Sequence, residues 1–184
     1  MKKPNGFDAA QGLTDFVPLT LGGHVCKIMS VEEKKTSTGK DMLVVSLDIA
    51  EGEQKGYYTE QYKNDKRDPK KWGCIVYVVV EDKGGNTSRA FKQFIEAFEV
   101  SNKVTTSWGE NFEAQFKGKL IGGVFGREQY QNNNGELKFI TKCRWFDTID
   151  KVRKGIDAPK DKLLNGQVQS DSQVNQEEDD DLPF

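Results

Sequence analysis

One histidine, three cysteines and no apolar run longer than seven residues leave this sequence short of the parts that several kinds of chemistry require. Cys26, Cys74 and Cys143 stand far apart with no Cys-x-x-Cys step, so neither an even disulfide framework nor a zinc spacing fits. Reduced, mostly buried thiols in a cytoplasmic protein are the expectation. His24, two residues before Cys26 on one side of a strand, has no second ligand pair to join and reads as structural or exposed. The longest apolar stretch, Cys74 to Val80, is too short to cross a bilayer, and no apolar segment follows the basic start Met1-Lys2-Lys3. Neither a membrane span nor a secretory signal is expected. A Walker loop, a G-x-S-x-G elbow and a carboxylate pair beside a nuclease-type lysine are also missing, so no catalytic residue, cofactor or metal is expected.

What is present is an uneven distribution of charge. The net charge of −2 conceals a tail, residues 165–184, that carries Asp171, Glu177, Glu178, Asp179, Asp180 and Asp181 and no lysine or arginine. Without those six acids the first 164 residues hold 27 basic against 23 acidic side chains, a net of +4. That split points to an anionic partner for the body and a different partner for the tail. Asn165 to Asp181 has only two apolar residues, Val168 and Val174, and cannot repay the entropy of folding. The division is an arm over 1–20, a body over 21–160 and a disordered acidic tail over 161–184.

Within the body, apolar periodicity predicts mainly β structure. His24 to Glu33 is rich in β-branched residues, Thr36 to Lys40 has turn chemistry, and Leu43, Val45, Leu47 and Ile49 then alternate with polar neighbours. Tyr57 to Lys63 reads as a third strand with Tyr58, Glu60 and Tyr62 on one face, and Ile75 to Val80 as an inserted strand. Thr87 or Ser88 caps a helix with Phe91, Phe94, Ile95 and Phe98 at helical spacing on its core face. Leu120 to Arg127 and Glu136 to Phe146 form a hairpin through Asn134-Gly135. Along its second strand Leu137, Phe139, Cys143 and Trp145 share the core side, with Lys138, Lys142 and Arg144 outward. Gly22-Gly23 and Gly122-Gly123 are placed to let strands bend or bulge.

The last six residues are Asp179-Asp180-Asp181-Leu182-Pro183-Phe184. They resemble the C-terminal tip of bacterial and phage single-stranded DNA-binding proteins, usually Asp-Asp-Asp-Ile-Pro-Phe, with Leu182 in place of isoleucine. Such a tip recruits partners when Phe184 enters an apolar pocket, its carboxylate meets a basic group at the edge, and the aspartates meet a basic rim. Ile49-Ala50-Glu51-Gly52, Gly56-Tyr57-Tyr58 and the Asn-Gly hairpin are similar to a phage group of these proteins over roughly residues 20–150. The resemblance implies an OB-fold five-stranded barrel with one helix between strands 3 and 4. It also implies coating of single-stranded DNA in phage replication, recombination or repair within a host cytoplasm, and capture of replication and recombination proteins by the tip.

Holding unpaired nucleic acid takes cations for phosphates and rings for bases. The window 55–72 supplies Lys55, Lys63, Lys66, Arg67, Lys70 and Lys71 among Tyr57, Tyr58, Tyr62 and Trp72, with Tyr58 and Tyr62 the expected stacking pair and Trp72 either a platform or a core residue. Arg127, Tyr130, Lys138, Lys142 and Arg144 on the hairpin extend the cationic path or form a solvated face. Two alternatives stand beside this reading: an adaptor whose β body binds duplex DNA or protein, and a metal-dependent nuclease. A homo-oligomer is left open.

Overall fold

The computed structural model describes Lys3 and residues 17–164. The alternating segments become β1 (Gly22–Lys35) and β2 (Asp41–Ile49), joined by a turn in which Thr36 Oγ1 accepts from the Lys40 amide at 3.0 Å. Leu43, Val45, Leu47 and Ile49 all point into the core. Leu19, just ahead of β1, is buried as well, so the N-terminal segment docks by its last residues.

Tyr57 to Lys63 is not the expected third strand but a helix, α1 (Tyr57–Asn64). Gly52 and Gly56, with φ of 85° and 77°, turn the chain after β2. The buried carboxylate of Asp48 at the end of β2 then accepts the amides of Tyr58 at 2.9 Å and Thr59 at 3.3 Å, together with the Thr59 hydroxyl. A residue of the sheet thereby satisfies the free N–H groups that a helix start exposes. β3 is Ile75–Val79, so α1 is the insertion and the Ile75 run is the third strand.

α2 (Arg89–Asn102) begins where Ser88 Oγ accepts from the Phe91 amide at 3.1 Å. It lies between β3 and β4 as expected and buries Phe91, Phe94, Ile95 and Phe98. A 3₁₀ helix (Phe112–Phe116), β4 (Leu120–Gln131), β5 (Leu137–Asp147) and α3 (Ile149–Lys154) complete the described chain. The five strands form one antiparallel sheet in the order β3-β2-β1-β4-β5, which is not closed. Phe94, Phe98, Phe116 and Phe125 fill its enclosed side, with the Phe98 and Phe116 rings 4.6 Å apart.

A smaller apolar cluster of Val25, Ile149 and Val152 lies apart from that core. Here the glycine pairs serve close approach rather than bending. A Cβ on Gly122 would stand 2.6 Å from a Val152 methyl, and one on Gly23 3.2 Å from Ile156 Cβ. The bulges fall elsewhere, at Met29 and Arg144.

The Arg144 bulge corrects the expected faces of β5. Cys143 is opposite Phe125 and Trp145 opposite Val124, so one extra residue separates them and the inward parity flips. Phe146 therefore enters the core, and Trp145 stays half-buried outside both apolar clusters. Leu137 and Phe139 keep their expected side but are exposed, because the hairpin runs past the start of β1, at Gly22 opposite Phe125, and out beyond the core.

Candidate nucleic-acid interface

α1 and the loop after it divide the expected aromatic residues into buried and available. Tyr58 is 4% exposed and stacks on Phe125 with centroids 6.4 Å apart, and burial pushes its phenol far above the ordinary range. A base has no access to that ring, so Tyr58 is a core residue and not a stacking site. Tyr57 is half-buried and its hydroxyl accepts from the Leu19 amide at 3.1 Å, which ties the incoming chain to α1. Tyr62, one turn beyond Tyr58, is exposed; its ring lies 5.5 Å from Trp72 at a 44° tilt. The Trp72 indole N–H donates to the Leu47 carbonyl at 2.8 Å, so this half-buried ring is fixed to β2 and braces Tyr62.

Cations surround this pair. Lys70 Nζ stands 5.5 Å from the centre of the Tyr62 ring and donates to the carbonyls of Tyr62 and Lys63 at the end of α1. Arg67 grips Asp65 through its Nε and Nη2, at 2.7 to 3.0 Å, holding that carboxyl far below the usual range, and Lys63 pairs with Glu60 at 2.7 Å. The Lys63–Glu60 pair is exposed on both sides and exchanges readily for another anion, whereas the Asp65 carboxylate that holds Arg67 is largely enclosed. Lys55, Lys66 and Lys71 make no ion pair among the described residues.

The second cluster lies on the projecting β4–β5 hairpin. From the Phe125–Cys143 step outward, Arg127, Gln129, Leu137, Phe139 and Thr141 occupy one side and Glu128, Tyr130, Lys138, Ile140 and Lys142 the other. The Arg127 guanidinium lies 5.1 Å from the centre of the Phe139 ring and makes a bidentate pair with Asp161. Tyr130 is exposed beside Lys138, which pairs with Glu136 at 3.1 Å, while Lys142 pairs with Glu128 at 3.0 Å. Arg144 departs from the expected cationic path. It sits half-buried in the bulge beside the bare backbone of Gly126 and Pro159, with one guanidinium nitrogen enclosed and unpartnered. The two clusters adjoin one contact, since Tyr58 on α1 stacks on the Phe125 from which the hairpin departs.

Sequence reading missed three exposed rings. Phe139 was assigned to the core by parity, Tyr77 lies on the edge strand β3 and is 43% exposed, and Trp108 is 65% exposed while stacked on Phe112. Only the edge position of β3 distinguishes Tyr77 from a buried residue, and an apolar run does not encode it. The lysines of the first turn are engaged: Lys34 with Glu32, Lys35 with Asp41, and Lys40 with the Asp82 carbonyl. His24 is structural, its Nε2 lying 2.8 Å from the Thr20 carbonyl and its ring edge-on to Phe125. The tip residues Asp179 to Phe184 lie outside the described residues.

Among the described residues no cluster of histidine, cysteine and carboxylate side chains is placed to hold a metal ion, and no helix is long and apolar enough to cross a membrane. Comparison with models of protein families and with characterised proteins finds no match to this chain.

Proposed function

We propose that this protein binds single-stranded DNA without reading its sequence, coats and protects it during replication and recombination, and recruits partner proteins through Asp179 to Phe184. The observation that carries the reading is a repeated pairing: an exposed ring with a cation across its face, at Tyr62 with Lys70 and at Phe139 with Arg127. A base stacks on the ring while its phosphate meets the cation, and every base has such a face, so affinity does not depend on sequence. The strand order supports an OB-type body. Placing β1 centrally, paired with both β2 and β4, is how that partly open barrel is wound.

Duplex DNA hides its base faces, so rings have little to hold there. Titrating the protein with oligothymidylate and with a duplex of equal length, followed by tryptophan fluorescence and gel retardation, tests the reading. Strong quenching by the single strand is expected, weakened by Tyr62→Ala and by Phe139→Ala. Equal or tighter duplex binding would move the assignment to a duplex-binding adaptor, and cleavage of the labelled strand with Mg²⁺ or Mn²⁺ would move it to a nuclease.

A further inference from the structure

The two ends of the sheet carry complementary features. At one end the β4–β5 hairpin projects with Leu137, Ile140, Phe139 and Tyr130 between 40% and 58% exposed, beside Lys138 and Lys142. At the other, Met42, Leu43, Val80, Phe91 and Phe112 line a cleft of about 250 Å³ walled by the exposed ring of Trp108. A second, polar hollow shares Glu33 and Gly109 with that cleft and adds Glu32, Glu110 and Glu113. The Glu113 carboxyl neighbours that of Glu33, and burial first and this neighbouring carboxyl second hold Glu33 above its ordinary value. Negative charge at the cleft thus has an incomplete set of counter-ions: Lys34 serves Glu32 and Lys35 serves Asp41, but Glu110 and Glu113 have no salt bridge among the described residues.

Both features are costly for a solitary molecule. A tryptophan beside an open apolar cleft, and a hairpin with two large apolar side chains exposed on each of its sides, both exceed the scattered exposure that a soluble surface normally tolerates. We propose that they are the two halves of one head-to-tail contact: the hairpin end of one copy, led by Leu137 and Lys138, seats in the Trp108 cleft of a second copy. Leu137 packs on Trp108 and the cleft floor, and Lys138 meets the Glu33, Glu110 and Glu113 rim.

Geometry forbids the same contact within one chain. Gly22 stands opposite Phe125 at the base of the hairpin while Glu33 borders the cleft, so the two sites lie at opposite ends of β1, on the order of 35 Å apart at about 3.3 Å per residue. A contact between unlike surfaces at opposite poles leaves one of each free after every addition, so it generates rows, or rings where the rotation closes, rather than a two-fold pair.

Sedimentation velocity of the full chain without nucleic acid, from micromolar to sub-millimolar concentration, tests this independently of the strand-binding proposal. Wild type is expected to form a concentration-dependent series of dimers and longer rows. Trp108→Ala and Leu137→Asp, both at exposed positions and each checked for native circular dichroism, should each weaken association about ten-fold or more. Mixed together, they should form a dimer and nothing longer, because the mixture retains one intact hairpin and one intact cleft. Glu113→Lys should weaken association and Lys138→Glu on the other copy should restore it. A single monomeric species for wild type at every concentration overturns the proposal, as does association that survives both variants. Loss of association on deleting residues 165–184 would also overturn it, by assigning the cleft to the tail.

Discussion

Tyr58 and Tyr62 share residue type and lie one helical turn apart, yet their environments give them opposite uses. Tyr58→Ala removes a ring packed on Phe125 and should cost about 3–5 kcal/mol in urea unfolding. Tyr62→Ala should leave the unfolding midpoint nearly unchanged and weaken oligothymidylate binding about ten-fold, within the roughly 1–3 kcal/mol that stacking on one ring supplies. Equal loss of stability in both variants would remove Tyr62 from the interface. The thiols follow the same rule of burial. Cys74 is pushed up to about 12, chiefly because burial disfavours the thiolate, and burial also raises Cys26 and Cys143. Folded protein at pH 8 should therefore resist a thiol-reactive disulfide reagent that modifies Cys26, Cys74 and Cys143 quickly in denaturant. Burial of Cys26 and Cys74 was legible in the sequence, with Cys143 half-buried; the separation of the two tyrosines was not, because an i, i+4 pair lies on one side in a strand and on one side in a helix.

At the scale of elements, local signals gave correct results where the chain decides locally. Ser88 caps α2, Leu43 to Ile49 alternate into the core, and the hairpin turns at Asn132–Gly135 as expected, although Gly135 takes positive φ there without Asn134. The failures at α1 and at the end of β5 have non-local causes. α1 starts because Asp48, ten residues away, presents its carboxylate, and Trp145 leaves the core because the ladder with β4 slips by one residue. Neither partner is visible within the window from which periodicity is read. The distinction predicts two different outcomes for two helix-start variants. Ser88→Ala should cost about 1 kcal/mol of stability without changing strand affinity, since α2 faces the core. Asp48→Ala should cost about 1–3 kcal/mol, because it leaves buried amides unpaired, and should also reduce affinity by releasing α1 and with it Tyr62. Denaturant midpoints and oligothymidylate titrations on both proteins separate these results. A loss of affinity in Ser88→Ala matching that in Asp48→Ala would show that any loosening of the fold impairs binding.

At the scale of the whole molecule the charge split takes a definite geometry. The segment after α3 runs back along β4, with the Lys162 amide donating to the Arg127 carbonyl at 3.0 Å and the Gln129 amide donating to the Lys162 carbonyl at 2.8 Å. The described residues thus end at Leu164, whose amide donates to the Gln129 side chain of the projecting hairpin, and the acidic residues 165–184 follow from that point in the sequence. A tethered segment acts at an effective concentration in the millimolar range, enough for weak charge pairing to compete with a strand for the same cations. Deleting residues 165–184 should therefore tighten oligothymidylate binding several-fold at low ionic strength. The gain should shrink as salt screens the tail, while the affinity of both proteins falls with rising salt as phosphate counter-ions are released less favourably. If the truncated and full-length proteins bind equally at every salt concentration, the tail does not contact the hairpin. The acidic residues would then act on partners alone.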